Sequence, residues 1–240
     1  MDDNNKRPDI PEPIKREVRQ RCAFGCIICG LPIYEYDHII PYADTNKHES
    51  INLTLLCPLH HAQKTKGQIS PAQVIEMNLV PFNILNQKTA PLLQFFSGIE
   101  FTFGLGGFTS ILRTRSSTVV LQVAGINAIG INIEEGKPLL NVLLHDSCNN
   151  PILQIINNEL ILNINQYDIT FVGSIVKIWK EKSNIEIEFE FQPPNRINIL
   201  RANLNYNGRE IIIKNGTLFY QGSEMRGNTF TDSGIGLGIP

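Results

Sequence analysis

The stretch "CAFGCIICGLPIYEYDHIIPYA", Cys22 to Ala43, holds three of the chain's five cysteines and, near its end, the pair Asp37-His38. A second cluster, "LCPLHH", follows at Leu56 to His61. Cys26-Ile27-Ile28-Cys29 has a spacing whose turn brings two sulfurs to one side, as a tetrahedral zinc requires. Cys57-Pro58-Leu59-His60 offers a second pair of soft ligands. Together the two pairs predict a closed structural Zn²⁺ site of three cysteines and one histidine. A knuckle of this size lacks a large core, so a metal supplies folding free energy that packing cannot. A redox role for Cys26 and Cys29 would require a βαβ setting, which this segment does not offer. Cys22 is left as a spare.

Outward from the knuckle the pattern is one of short elements. Residues 1–10 read as a mobile lead, and "PEPIKREVRQRC" as a helix with Pro13 in its first turn. Ile14 and Val18 share a helical face, while Lys15, Arg16, Arg19 and Arg21 occupy the rest of the surface. A short strand is predicted at Tyr34–Ile40, then the polar loop "ADTNKHES", then "INLTLLC". Pro58 opens and Gly67 closes the helix "PLHHAQKTKG". Ser70 caps a further short helix that starts at Pro71. Strand, loop, strand and helix make a ββα unit, with Asp37, His38, Asn52 and His61 projecting from its parts. His48 and His145 fall outside this pattern and receive no role.

The texture changes near residue 81. Residues 1–80 read as one domain, 81–98 as a linker, and 99–240 as a second, all-β domain. In "NIEIEFEFQ", Ile185, Ile187, Phe189 and Phe191 face one side and Glu186, Glu188 and Glu190 the other, the period of a half-buried strand. "NYNGREI" and "IIKNGTLF" predict hairpins closed by Asn-Gly. Short strands at about ten-residue spacing predict a sandwich or barrel, with a β-solenoid as the alternative. The fold class is therefore α+β. Cys148 is expected to be a buried apolar residue.

The residues "CIICG", "YDHIIP", "INLTLLC" and "PLHHAQKTKG" resemble the HNH endonucleases, or ββα-metal nucleases, over roughly residues 11–75. The letters of the family name fall on His38, Asn52 and His61; His60 stands where many zinc-bearing members have a fourth cysteine. The resemblance implies that His38 is the general base and that Asp37 and His61 hold one divalent ion, Mg²⁺ or Mn²⁺. It also implies that Asn52 ties the loop that orients His38, and that the products are a 5′-phosphate and a 3′-hydroxyl. The implied partner is DNA, met by Arg16, Arg19, Arg21, Lys64 and Lys66 at its phosphates.

The formal net charge of −2 gives no global basic signature, so any polyanion contact must be local. Weak intrinsic DNA affinity is expected, raised by a homo-oligomer or a regulatory protein partner through the β domain. By analogy, such a two-part chain suits a bacterial restriction or anti-phage effector. Two other classes compete with it: a non-catalytic zinc-finger DNA-binding module, and a structural protein dominated by its β domain. The odd cysteine count and the polar start "MDDNNKRPDIPEP" argue against a disulfide framework and a signal peptide. No window approaches a membrane span, and a cytoplasmic location is expected.

Overall fold

Helix α1 (Glu12–Arg21) starts with a proline in its first turn and buries Val18. The computed structural model describes residues 8–91, 98–145, 149–161, 167–181 and 184–240. Residues 1–7 of the expected lead and Cys148 lie outside the described residues. Two compact units divide the chain, Met1–Asn86 and Gln87–Pro240.

In the first unit, β1 (Glu35–His38) pairs antiparallel with β2 (Leu53–Leu56), Asp37 opposite Thr54 and His38 opposite Leu53. Between them lie the single helical turn α2 (Tyr42–Thr45) and a 3₁₀ turn, Ser50–Asn52. Helix α3 (Pro58–Thr65) follows directly on β2, with Pro58 where the missing N–H costs nothing. Helix α4 (Pro71–Leu79) carries a capping box, with Ser70 and Gln73 satisfying each other's exposed backbone N–H groups. The core joins Val18, Ile27, Ile39, Leu53, Leu55 and Val74.

Part of the expected linker is folded. Helix α5 (Phe82–Asn86) closes on the cysteine knuckle: Phe82 N–H donates to Ile27 O (2.9 Å), and Asn83 Nδ2 donates to Ala23 O (2.8 Å). The fit requires glycine at position 30, where φ is +73° and a Cβ would lie 2.2 Å from Asn83 Oδ1.

The second unit holds two open sheets. The hairpin β3 (Phe101–Leu105) and β4 (Phe108–Leu112) precedes a meander of β5 (Ser117–Val123), β6 (Ile126–Glu134), β7 (Lys137–His145), β8 (Pro151–Ile156) and β9 (Glu159–Ile161). A second meander runs through β10 (Asp168–Val172), β11 (Ile175–Glu181), β12 (Asn184–Gln192), β13 (Arg196–Tyr206), β14 (Arg209–Lys214), β15 (Thr217–Tyr220) and β16 (Ser223–Met225). The last strands, β17 (Thr229–Thr231) and β18 (Ile235–Ile239), return in parallel to β4 and β5. The sheets have six strands (β5–β9 and β18) and ten (β3, β4 and β10–β17). Neither closes into a barrel, and antiparallel meanders exclude the β-solenoid alternative.

Buried Tyr206 of the larger sheet donates its hydroxyl to Leu143 O of the smaller one at 2.6 Å. Alternation along β7 buries Leu140, Val142 and Leu144 on one face. Strand β12 departs from the expected half-burial: Glu186 and Glu188 are buried along with Ile187 and Phe189. The reason is its place between β11 and β13, where Lys177 meets Glu188 at 3.3 Å. Among the described residues no helix is long and apolar enough to cross a membrane.

Candidate functional site

Cys26, Cys29, Cys57 and His60 bring their ligand atoms within 4.8 Å of one another. His60 Nδ1 is 3.3 Å from Cys26 Sγ and 3.2 Å from Cys57 Sγ, and the Cys29 and Cys57 sulfurs are 3.9 Å apart. A tetrahedral zinc with bonds of about 2.3 Å to sulfur would hold two sulfurs about 3.8 Å apart. The cluster therefore has the size and donor set of a structural zinc site. A hydrogen bond from Cys29 pushes the Cys26 thiol down to about 4, and the same contact, together with burial, pushes Cys29 up. Cys22 is not part of the cluster. It is buried beside Thr54 and Asn78, and burial raises its thiol.

The second cluster is built by strand period and helix pitch. Glu35 and Asp37 share one face of β1, and that face meets α3. His61 stands between them, its Nδ1 3.1 Å from Glu35 Oε2 and its Nε2 3.3 Å from Asp37 Oδ1. Lys64, one turn further along α3, donates to Asp37 Oδ2 at 2.6 Å and to the carbonyl oxygen of His38. Where Glu35 accepts from His61 Nδ1–H, the His61 Nε2 lone pair faces the Asp37 carboxylate. In that tautomer two electron-rich atoms face each other at 3.3 Å, an arrangement that a shared cation satisfies. Adjacent ligands of an octahedral ion with bonds of about 2.0–2.1 Å lie about 3.0 Å apart, so both atoms lie within reach of one divalent ion. A proton on His61 satisfies the same pair, and therefore competes with a metal.

His38, Asp37, His61 and Lys64 line one cavity of about 610 Å³, with Tyr42 at its wall. His38 is buried, its ring edge-on to Tyr42 and its Nε2 3.1 Å from His48 Nδ1. Asn52 sits at the end of the 3₁₀ turn. Its Oδ1 accepts from Ile40 N–H (2.8 Å), and its Nδ2 donates to Ile40 O (3.0 Å). This clasps the chain directly after His38, and Ile39 N–H adds a bond to Asn52 O at 2.9 Å.

Residues 26–67 match the family model described as HNH endonuclease. This segment is an HNH endonuclease domain. No curated protein and no solved structure matches the chain.

Around the HNH domain the expected phosphate contacts divide. Arg19 is a correction: it is buried and donates to Tyr36 Oη and Glu12 Oε1, both at 2.6 Å. Arg21 is likewise engaged in the fold, through the carbonyls of Ser50 (2.9 Å) and Leu53 (2.5 Å). Both guanidiniums hold α1 onto the ββ pair. Lys64 is engaged with Asp37 inside the cavity. Arg16 is half-buried and Lys66 exposed.

Two neighbours of the site escaped the sequence reading. Glu35 was detectable, since it lies one strand period before Asp37. His48 was not, because it comes from an irregular loop whose path no periodicity records.

Proposed function

We propose that the chain is a metal-dependent endonuclease that hydrolyses phosphodiester bonds of DNA. The observation that carries this reading is the Asp37–His61 pair, facing each other at 3.3 Å in the cavity that His38 lines. Asp37 and His61 would hold a divalent ion, Mg²⁺ or Mn²⁺. When bound, it supplies charge stabilisation to the scissile phosphate and the leaving 3′-oxygen. His38 accepts the proton of the attacking water as general base. Asn52 keeps the segment after His38 in one conformation, so the imidazole does not wander from the reacting centre. Lys64 keeps Asp37 oriented and neutralises charge on a face that must receive a phosphate. The products carry a 5′-phosphate and a 3′-hydroxyl.

Arg16 and Lys66 supply the contacts to the DNA backbone. So small a set supports weak binding, and the β unit raises it by pairing copies of the chain or by meeting a regulatory protein. A single site cuts one strand, so duplex scission calls for two copies. The folded modules in this reading are Met1–Asn86 for cleavage and Gln87–Pro240 for assembly or sensing.

The test is nicking of supercoiled plasmid with Mg²⁺ or Mn²⁺ by wild type and by His38→Ala. Nicking by wild type and a loss of roughly a hundredfold or more in the variant are expected. Equal rates remove His38 as the base. Metal-independent binding without nicking favours the non-catalytic zinc-finger module.

A further inference from the structure

We propose that His48 is a positioning residue that sets the tautomer of His38, so that the neutral base carries its lone pair on Nδ1. The proposal rests on the reading of His38 as general base and specifies which of its two nitrogens takes the proton.

The chain of contacts starts at a carbonyl. His48 Nε2 lies 2.8 Å from Pro8 O, an atom that can only accept. The hydrogen of neutral His48 is therefore on Nε2, and its Nδ1 is an acceptor. That Nδ1 faces His38 Nε2 at 3.1 Å. Between two neutral rings, only His38 Nε2–H donating to His48 Nδ1 makes this a hydrogen bond. The second nitrogen of His38, Nδ1, must then hold the lone pair.

Tyr42 holds the geometry. Its ring stacks on His48, centroids 4.7 Å apart at 29°, and meets His38 edge-on at 5.5 Å and 79°. One aromatic side chain thus orients both imidazoles, and the loop between β1 and β2 serves as the mount. A general base must present its lone pair within hydrogen-bond reach of one water, so a ring free to exchange tautomers would hold the wrong nitrogen forward for part of the time. His48 touches neither substrate nor metal ligand in this scheme and acts only through His38.

The experiment uses the full chain with ¹⁵N-labelled histidine, the His38 ring signals being assigned by their loss in His38→Gln. In wild type, His38 should show the Nε2–H pattern. In His48→Leu, the Nδ1–H form should become populated, kcat for plasmid nicking should fall roughly tenfold or more, and KM should stay within about twofold. His48→Asn offers an acceptor oxygen close to where Nδ1 stood. It should restore the Nε2–H pattern and most of the lost rate. An Nδ1–H pattern in wild type, or an unchanged tautomer in a folded His48→Leu protein, overturns the proposal. If His48→Leu does not fold, the wild-type and His48→Asn spectra decide it. A wild type that shows the Nε2–H pattern yet never nicks DNA overturns the endonuclease reading and leaves the tautomer assignment standing.

Discussion

Asp37 and His61 face each other across 3.3 Å, the carboxylate from a strand and the imidazole from the helix that packs on it. The pair is held from behind on both sides. Glu35 lies 3.1 Å from the far nitrogen of His61, and Lys64 lies 2.6 Å from the far oxygen of Asp37. The two supporting groups have opposite charge, so removing each should have a distinct effect.

Glu35→Gln should weaken the metal site while leaving the fold intact. The Glu35 side chain is half exposed, so its loss buries no orphan. Without the carboxylate, the ring orientation and tautomer of His61 are less fixed, an effect worth about 10–100-fold in metal affinity at comparable sites. The Mn²⁺ concentration for half-maximal nicking should rise by about that factor, with much of the rate recovered at saturation. An unchanged Mn²⁺ dependence would remove Glu35 from the site.

Lys64→Met should destabilise the first unit and make that loss recoverable by metal. The Asp37 side chain is only 8% exposed, and the variant leaves its charge without a cation. A cost of about 1–3 kcal/mol is expected for a partly solvated group of this kind. In the proposed reading a divalent ion binds the folded state and would offset that loss by mass action. Added Mn²⁺ should therefore raise the melting temperature of Lys64→Met more than that of wild type. Equal shifts would mean that Lys64 does not neutralise Asp37.

The sequence made these sites legible to different depths. Ligand spacing defines the zinc cluster, because a CxxC turn and a CxxH helix start leave the chain few other paths. The hairpins at Asn207-Gly208 and Asn215-Gly216 were equally plain, both residues of each turn adopting positive φ. Ala124-Gly125, Glu135-Gly136 and Gln221-Gly222 close hairpins with the same backbone signs, but their first residues carry no such preference. Tertiary pairing imposes that conformation there. The surface assignment of Arg19 failed for a related reason. Helical periodicity separates polar from apolar faces, yet it cannot tell solvent from the tyrosine hydroxyl and carboxylate that Arg19 meets.

Asn52→Ala should lower both stability and turnover. The side chain makes two hydrogen bonds to the backbone of Ile40, and the variant orphans a donor and an acceptor. About 1–3 kcal/mol of stability should be lost. The looser segment after His38 should reduce kcat more than KM, since positioning is felt in the transition state. Asn52→Asp keeps the acceptor for Ile40 N–H and loses the donor, so it should fall between the two. Thermal melting and nicking kinetics on the three proteins check the order.

Asp232 offers a pH test in the β unit. It accepts from the N–H groups of Arg113 (2.8 Å), Thr114 (2.9 Å) and Arg115 (3.3 Å), and from the Thr114 hydroxyl (2.9 Å). These bonds pin the link between β17 and β18 to the link between β4 and β5, where the chain twice passes from the larger sheet to the smaller. The donors, Arg113 N–H foremost, hold the Asp232 carboxyl well below the usual carboxylate range. A group whose value is lowered by folding stabilises the fold fully above its unfolded value, about 4, and loses that contribution as pH falls toward the lowered one. Asp232→Asn should therefore melt below wild type at pH 7, and the gap should narrow as the pH drops under about 4. A gap independent of pH would mean that the carboxylate charge is not what the three N–H groups bind.

Removal of zinc should unfold the first unit and spare the second. The core that joins α1, the ββ pair and α4 includes the buried ligands Cys26 and Cys57 themselves. Binding of a structural zinc releases about 10–16 kcal/mol at neutral pH in small finger peptides, more than a core of this size supplies. Native mass spectrometry should find one zinc per chain, and none in Cys26→Ser or His60→Ala. A strong chelator should abolish nicking and expose the amides of β1, β2 and α3 to hydrogen exchange, while β5 to β8 stay protected. Protection of β1 and β2 in the zinc-free protein would show that packing alone holds the unit, and would separate the ligand cluster from the folding of the site beside it.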